Sequence, residues 1–369
     1  MYIDILELIN FRNYEKLELK LNNKINIFVG ENAQGKTNVL EAMYFLSSLK
    51  SHRTNRDKEL ILWNKNKAYL KGEIVKNLGN YRIEFLIDSE GKKQIKLNGV
   101  KINKSSEVLG TVNTVIFSPE DLKLIKEGPS LRRRFIDNEL SQIRPKYHYI
   151  LSQYNKTLMQ RNNLLKTLNN STSNKATLEI FSEQLADYGS IIIQNRIEFV
   201  KKLSLIARLI HRKITDGKEE LDVLYKSDVD VNGKLSEIKE SLLKKYIENV
   251  KDDLDKGFTL IGPHRDDLVI FINGVDVRNF GSQGQQRTAA LSLKLSELEI
   301  VKSEVGEYPV LLLDDVLSEL DPKRQFFLLN SLKDIQTIIT CTSIKDIDIK
   351  KFVEKSVFEV KKGTIVRLE

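Results

Sequence analysis

Gly30-Glu31-Asn32-Ala33-Gln34-Gly35-Lys36-Thr37 matches G-x-x-x-x-G-K-[ST], follows the apolar run Ile25–Val29 and precedes Val39, Leu40, Met43 and Leu46 at helical spacing. A strand that turns into a helix through such a segment confines the chain to an α/β fold with a phosphate-binding loop. The glycines let successive N–H groups curl around phosphate oxygens, and the helix start adds partial positive charge. Lys36 reaches the terminal phosphates, and the Thr37 hydroxyl suits a Mg²⁺ position. The segment predicts a nucleoside triphosphate ligand. A fortuitous Gly-rich turn would not be expected to carry both flanks. The loop alone does not say what the binding drives.

Val310-Leu-Leu-Leu-Asp314-Asp315 is an apolar strand ending in two acids, and a buried strand delivers carboxylates rigidly to a sheet edge. Asp314 is the candidate Mg²⁺ ligand, and Asp315 the candidate that polarises water. In isolation a solvated Asp-Asp turn reads the same way; the company of the phosphate loop favours the site. Upstream, Gly281-Ser282-Gln283-Gly284-Gln285-Gln286-Arg287 opens a helical pattern, and downstream comes Leu317-Ser318-Glu319-Leu320-Asp321. Ser282 and Gly284 make either an ordinary helix cap or a second anion-binding end, suited to a γ-phosphate presented across an interface.

Period-two alternation marks strands at Tyr2–Ile9, Lys16–Leu21, Ile25–Val29, Ala68–Val75, Tyr81–Ile87 and Gln94–Leu97. Asn98-Gly99 and Asn273-Gly274 predict two-residue hairpins, because a type I′ turn needs positive φ twice. From about Pro145 to Leu254 the period is helical and predicts three amphipathic helices, with Asn169–Asn174 looping between the first two and Asp228–Gly233 before the third. After Gly262 a mixed pattern returns, including a helix from about Gln285 to Val301 and a strand Thr337–Thr340. The expected architecture is a discontinuous α/β lobe, residues 1–125 and 255–369, interrupted by a mainly α-helical lobe, 126–254, without a long coiled coil.

No stretch approaches the roughly 18 apolar residues needed to span a bilayer. The N-terminal alternation, broken by Asp4 and Glu7, reads as a strand and not a signal peptide, so a cytoplasmic location is expected. The single cysteine, Cys341, excludes an internal disulfide framework and any Cys-rich zinc site. A formal net charge of +8 permits a polyanionic partner without demanding one. Basic clusters at Lys92-Lys93, Lys101–Lys104, Arg132–Arg134, Lys201-Lys202, Lys244-Lys245 and Lys350-Lys351 read mostly as solvated faces, and none singles out a DNA contact.

The order of phosphate loop (Walker A), signature serine and glycine, acid-ending strand (Walker B) and Ser318–Asp321 (D-loop) resembles ABC-type ATPases of the SMC-like branch. Ser51-His-Arg-Thr54 with Asp57, Phe117-Ser-Pro-Glu-Asp121, Gly128-Pro-Ser-Leu-Arg132-Arg133-Arg134-Phe-Ile-Asp137 and Gly262-Pro-His-Arg265-Asp266-Asp267 narrow this to a resemblance to the RecF family across essentially the whole chain. The resemblance implies ATP and Mg²⁺ as cofactors, and ATP-driven homodimers in which Ser282 and Gly284 serve the opposite subunit. It also implies slow hydrolysis, binding of double-stranded and gapped DNA, and work beside RecR and RecO in directing RecA, in the nucleoid and away from membranes. By the same resemblance Arg12, in Phe11-Arg12-Asn13, reaches the nucleotide phosphates.

Two departures from the wider ABC pattern stand out. Asp315 replaces the usual glutamate, and Thr340-Cys341-Thr342 lacks the usual switch histidine, which predicts slow turnover. A transporter's nucleotide-binding subunit and a DNA clamp that never hydrolyses ATP remain as alternatives at this stage.

Overall fold

A computed structural model describes residues 1–167, 172–230, 233–330, 332, 334–343 and 354–368. β1 (Tyr2–Phe11) and β2 (Tyr14–Lys20) form a hairpin, and β3 (Ile25–Val29) leads into α1 (Lys36–Ser48). β4 (Lys67–Lys76), β5 (Gly79–Asp88), β6 (Lys93–Leu97) and β7 (Val100–Ile102) form a meander before β8 (Thr114–Phe117). Then come α2 (Leu122–Lys126), α3 (Pro129–Ile143), α4 (Pro145–Thr167), α5 (Thr172–Ile214), β9 (Leu221–Lys226), α6 (Leu235–Glu248) and α7 (Val250–Lys256). β10 (Asp267–Ile272), β11 (Val275–Asp276), α8 (Val277–Phe280) and α9 (Gln283–Val305) follow. The last elements are β12 (Val310–Asp314), α10 (Pro322–Asn330), β13 (Thr337–Cys341), β14 (Lys355–Lys361) and β15 (Thr364–Arg367).

Two units result, Met1–Leu122 with Ala290–Glu369, and Lys123–Ala289. The expected return to the first lobe at residue 255 is therefore corrected to 290. Residues 255–289 belong to the second unit because β10 pairs with β9 along six residues, Asp267↔Lys226 to Ile272↔Leu221. β9 itself was unanticipated, since its Leu-Asp-Val-Leu-Tyr-Lys lies within otherwise helical sequence. The helical stretch also differs in layout. α5 runs 43 residues, about 64 Å at 1.5 Å per residue, and takes in Thr172–Asn174 of the polar tract, short polar residues of the kind favoured at helix starts. Residues 169–171 of that tract, 231 and 232 of the Asp228–Gly233 segment, and Lys350-Lys351 lie outside the described residues.

In the first unit, one sheet has the order β15-β14-β3-β13-β12-β8, parallel except for β15 at its edge. β12 and β13 are buried at every position and β3 at all but Val29, as expected of strands covered on both faces. The other sheet, β2-β1-β4-β5-β6-β7, is antiparallel and shows the alternating burial of a half-covered surface. α1 is buried almost all round because it packs against both sheets. Ser47 bonds Thr114 of β8, while Phe45 meets Phe85 of β5 edge to face at 5.1 Å. At Gly72 of β4 an added Cβ would come within 2.5 Å of Leu46. The two anticipated hairpin turns carry positive φ at both residues, 51° and 82° at Asn98-Gly99 and 51° and 78° at Asn273-Gly274.

In the second unit, two of the sequence motifs hold each other. Arg132, buried on α3, makes a bidentate pair with Asp267 at 2.7 and 2.9 Å, and Arg133 Nη1 donates to the Asp266 carbonyl at 2.8 Å. Buried Arg196 of α5 donates to both Asp137 carboxylate oxygens and, at 2.6 Å, to the Pro263 carbonyl. Gly262 has φ +125°, and a Cβ there would lie 2.6 Å from the Tyr154 hydroxyl and 2.7 Å from that of Tyr246. His264 bridges the Tyr154 hydroxyl at 2.7 Å and the Thr259 carbonyl at 3.0 Å.

Candidate functional site

The carboxyl ends of the parallel strands bring the sequence-predicted residues of the first unit together. β3 ends at Val29, opposite Cys341, and Gly30 begins the loop into α1. The loop needs its glycines for different reasons. A Cβ on Gly30 would sit 2.3 Å from the Val360 carbonyl oxygen of β14, whereas Gly35 has φ +121°, open to glycine and strained for other residues. Ala33 also takes positive φ, 65°. Glu31, Asn32 and Ala33 are exposed, and the amides of residues 31 to 35 donate to no acceptor among the described residues. This run of open N–H groups ahead of a 13-residue helix is an anion cradle.

Lys36 is buried at the helix start, and its ammonium donates to the carbonyls of Gly30 at 2.6 Å and Glu31 at 3.1 Å. Beside it, Thr37 Oγ1 donates to Asp314 Oδ1 at 3.0 Å, joining the loop to the end of β12. Thr340 of β13 donates to the same oxygen at 3.0 Å. Burial raises the Asp314 pKa above the ordinary carboxylate value, against the two threonine hydrogen bonds, which lower it; Asp315 raises it further. A hydroxyl and a carboxylate at this distance are the hard oxygen donors that Mg²⁺ takes alongside phosphate oxygens, so the residues fit the ion. Next in the chain, Asp315 adopts φ 52° and donates its amide to Thr340 Oγ1 at 3.0 Å, which turns the strand sharply after Asp314.

Two hairpins brace the loop. Asn13, between β1 and β2, donates to the Gln34 carbonyl at 3.0 Å, and the Tyr14 hydroxyl donates to that of Gly35 at 3.0 Å. From the β14–β15 turn, the Lys362 amide donates to Gln34 Oε1 at 2.7 Å and the Gly363 amide to the Gln34 carbonyl at 3.2 Å.

Arg12 points into a pair that sequence reasoning missed. Its Nε and Nη2 donate to Glu41 at 2.8 and 2.6 Å, and its Nη1 to the Glu59 carbonyl at 2.7 Å. Glu41 lies wholly buried on α1 and also accepts from Ser51 and, at 3.4 Å, from Arg53. Burial pushes the Glu41 pKa up, but hydrogen bonds from Arg12 and Ser51 and the charges of Arg12 and Arg53 outweigh it and hold the carboxyl below its usual value. The available signal was an acid inside the apolar run Val39-Leu40-Glu41-Ala42-Met43.

Ser282 and Gly284 belong to the second unit. The Ser282 amide donates to Gln285 Oε1 at 2.9 Å and the Gln285 amide to Ser282 Oγ at 3.2 Å, a reciprocal cap at the start of α9. Gln285 also donates to Glu219 at 2.9 Å, and Thr288 to the Gly284 carbonyl at 2.8 Å.

The family model for the RecF/RecN/SMC N-terminal domain matches residues 2–364. The DNA replication and repair protein RecF of Alkaliphilus oremlandii is 51% identical over 367 residues, 99% of this chain and 100% of the relative. Its counterpart in Clostridium kluyveri is 52% identical over 368 residues, 100% of both chains. Among solved structures, the recombination mediator protein RecF with ATP, of the RecFOR pathway, is 41% identical with a TM-score of 0.93, covering 100% of this chain and 98% of that one. An Smc head bound to the C-terminal winged-helix domain of ScpA, 16% identical with a TM-score of 0.57 and covering 100% of this chain and 98% of that one, shares the fold. With matching sequence along essentially its whole length and a TM-score of 0.93 to a RecF structure, the chain belongs to the RecF family of DNA replication and repair proteins.

Proposed function

We propose that this chain is an ATP-dependent DNA-binding protein of replication and recombinational repair. Two copies close on ATP, the closed pair grips duplex DNA beside a gap, and slow hydrolysis reopens it. The observation that carries this reading is the cradle of open amides ending in Lys36 and Thr37, with Thr37 3.0 Å from Asp314. Likeness to the RecF–ATP structure supports ATP as the triphosphate.

Lys36 exchanges its bonds to loop carbonyls for phosphate oxygens. Thr37 and Asp314 are the residues that would hold Mg²⁺, which when bound would supply positive charge against the triphosphate. Residues 30 to 37 wrap the phosphates, with Glu31, Asn32, Ala33 and Gln34 contributing backbone. Arg12 has two guanidinium protons beyond those given to Glu41 and Glu59, and these are its means of reaching a phosphate. Asp315 accepts a hydrogen bond from water and orients it. The cap at Ser282 and Gly284 meets the γ-phosphate held by the opposite subunit, so neither copy completes a site alone. The short Asp315 side chain supports turnover well below about ten per second, a typical enzyme rate, with DNA as its stimulus.

RecR and RecO are the protein partners, RecA loading at gaps the outcome, and the cytoplasmic nucleoid the place of action. Among the described residues no helix is long and apolar enough to cross a membrane. Sedimentation tests the reading. ATP should convert the chain to dimers, Lys36→Met should abolish that shift, and gapped duplex should bind only with ATP. Unchanged sedimentation with ATP, or equal DNA affinity without it, refutes the proposal.

A further inference from the structure

Trp63, the only tryptophan, stands 88% exposed in the turn Leu62–Lys65, where Asn64 takes φ 63° and the Lys65 amide closes on the Leu62 carbonyl at 3.0 Å. Indole normally buries its large apolar face. Around it in the chain, residues 50–67 hold six Lys and Arg against two acids. Asp57, one of those acids, is taken by Lys93 at 2.8 Å. Lys50, Arg56, Lys58, Lys65 and Lys67 are exposed and make no ion pair among the described residues. Protein-docking patches pair aromatics with apolar neighbours and are depleted in lysine, so this surface is the wrong kind for one. A flat exposed aromatic followed two and four residues on by the unpaired Lys65 and Lys67 suits a nucleobase with its phosphates.

The turn is also tied to the nucleotide site. The Leu62 amide donates to the Asn10 carbonyl at 2.8 Å, and the Arg12 amide to the Leu60 carbonyl at 2.7 Å, just ahead of Asn13 and Tyr14, which brace the phosphate loop. At the other end of the segment, Arg53 donates to Asn38 of α1 at 2.8 Å.

We propose that Trp63 is a stacking platform for an unpaired DNA base, with the neighbouring cations holding the phosphates on either side. Bases inside a duplex are already stacked, so only a gap, flap or end offers a free face. This rests on the DNA-binding reading above and adds how a gap is told from continuous duplex.

A single tryptophan makes the test direct. With ATP present, the whole protein is titrated with gapped duplex or with covalently closed circular duplex, following Trp63 emission and, separately, filter binding of labelled DNA. Gapped duplex should quench the emission in step with binding, and the closed circle should bind without quenching. Trp63→Ala, at a surface position that leaves the fold intact, should weaken binding to gapped DNA about 5- to 100-fold and leave the closed circle unaffected; Trp63→Phe should keep most of the affinity. Binding of gapped DNA without quenching overturns the stacking role while leaving the DNA-binding reading standing. Equal quenching by closed circles, or by ATP alone, shows that duplex or a second copy covers the ring, and overturns it too. Absence of binding to either DNA defeats both readings.

Discussion

Replacing Glu41 separates the structural anchor under the phosphate loop from the nucleotide chemistry above it. The carboxylate is fully buried and accepts from Arg12 at 2.6 and 2.8 Å, from Ser51 and from Arg53, while Arg12 itself is only 18% exposed. Exposed ion pairs contribute about 0–1 kcal/mol, whereas removing one partner of a buried pair costs about 3–5 kcal/mol, because the remaining charge is left without compensation. Glu41→Ala belongs to the second class. Glu41→Gln should cost nearly as much, since one face of the amide presents donors to guanidinium donors.

At about 2–4 °C per kcal/mol for a unit of this size, either variant should lower the melting transition by about 6–20 °C. The relevant transition is the one that ATP raises in the parent protein. The pH dependence supplies a second arm. Glu41 has its folded pKa held below its unfolded value, so its contribution is present above about pH 4.3 and is lost as pH falls through the lower folded value. The gap between parent and variant should therefore narrow in acid. A loss under about 1 kcal/mol at neutral pH, or a gap that does not change on acidification, would refute the assignment of Glu41 as a charged anchor.

Two further outcomes are expected. Gly30→Ala places a Cβ 2.3 Å from the Val360 carbonyl oxygen, a backbone atom that cannot swing aside, so it should cost about 1–3 kcal/mol and abolish ATP binding by calorimetry; Gly128→Ala, with open space around it, should leave ATP binding intact. In the second unit, burial lowers the His264 pKa to about 4 and raises that of Asp266 to about 6. Between pH 6.5 and 4 the unfolded state binds more protons at the histidine and the folded state more at the aspartate, so stability lost by one on acidification is offset by the other. Asp266→Asn should expose the histidine's loss, at most about 1.4 kcal/mol per pH unit in chemical denaturation, and a profile parallel to the parent's would contradict this.

What the sequence disclosed is what the backbone dictates locally. Gly35 at φ +121°, and positive φ at Asn98-Gly99 and Asn273-Gly274, are conformations few residues accept, so residue identity reports them. Likewise β12 had to be apolar to lie buried on both faces. Glu41, the hairpin brackets on Gln34 and the pairing of β9 with β10 depend on residues brought together from far along the chain, which no periodicity records. The same limit explains the misplaced boundary at 255, where strand-like sequence resumes but pairs with β9 and not with the phosphate-binding sheet.

Long-range pairing also changes how the basic clusters count. Arg132–Arg134 was the densest arginine run, yet Arg132 is consumed by Asp267, and Arg133 donates to the Asp266 carbonyl beneath it. A guanidinium held bidentate in the interior has neither the exposure nor the uncompensated charge to release counterions from DNA. Residues 50–67 form a less conspicuous run in the sequence, but Lys50, Arg56, Lys58, Lys65 and Lys67 stay exposed without an ion pair among the described residues, because Asp57 is held by Lys93, while Glu59 keeps its charge beside the Thr54 hydroxyl. Polyanion binding follows the charge that folding leaves uncompensated; in the first unit Lys96, Lys101 and Lys104 meet that criterion too, and the segment around Trp63 adds an exposed aromatic ring to it.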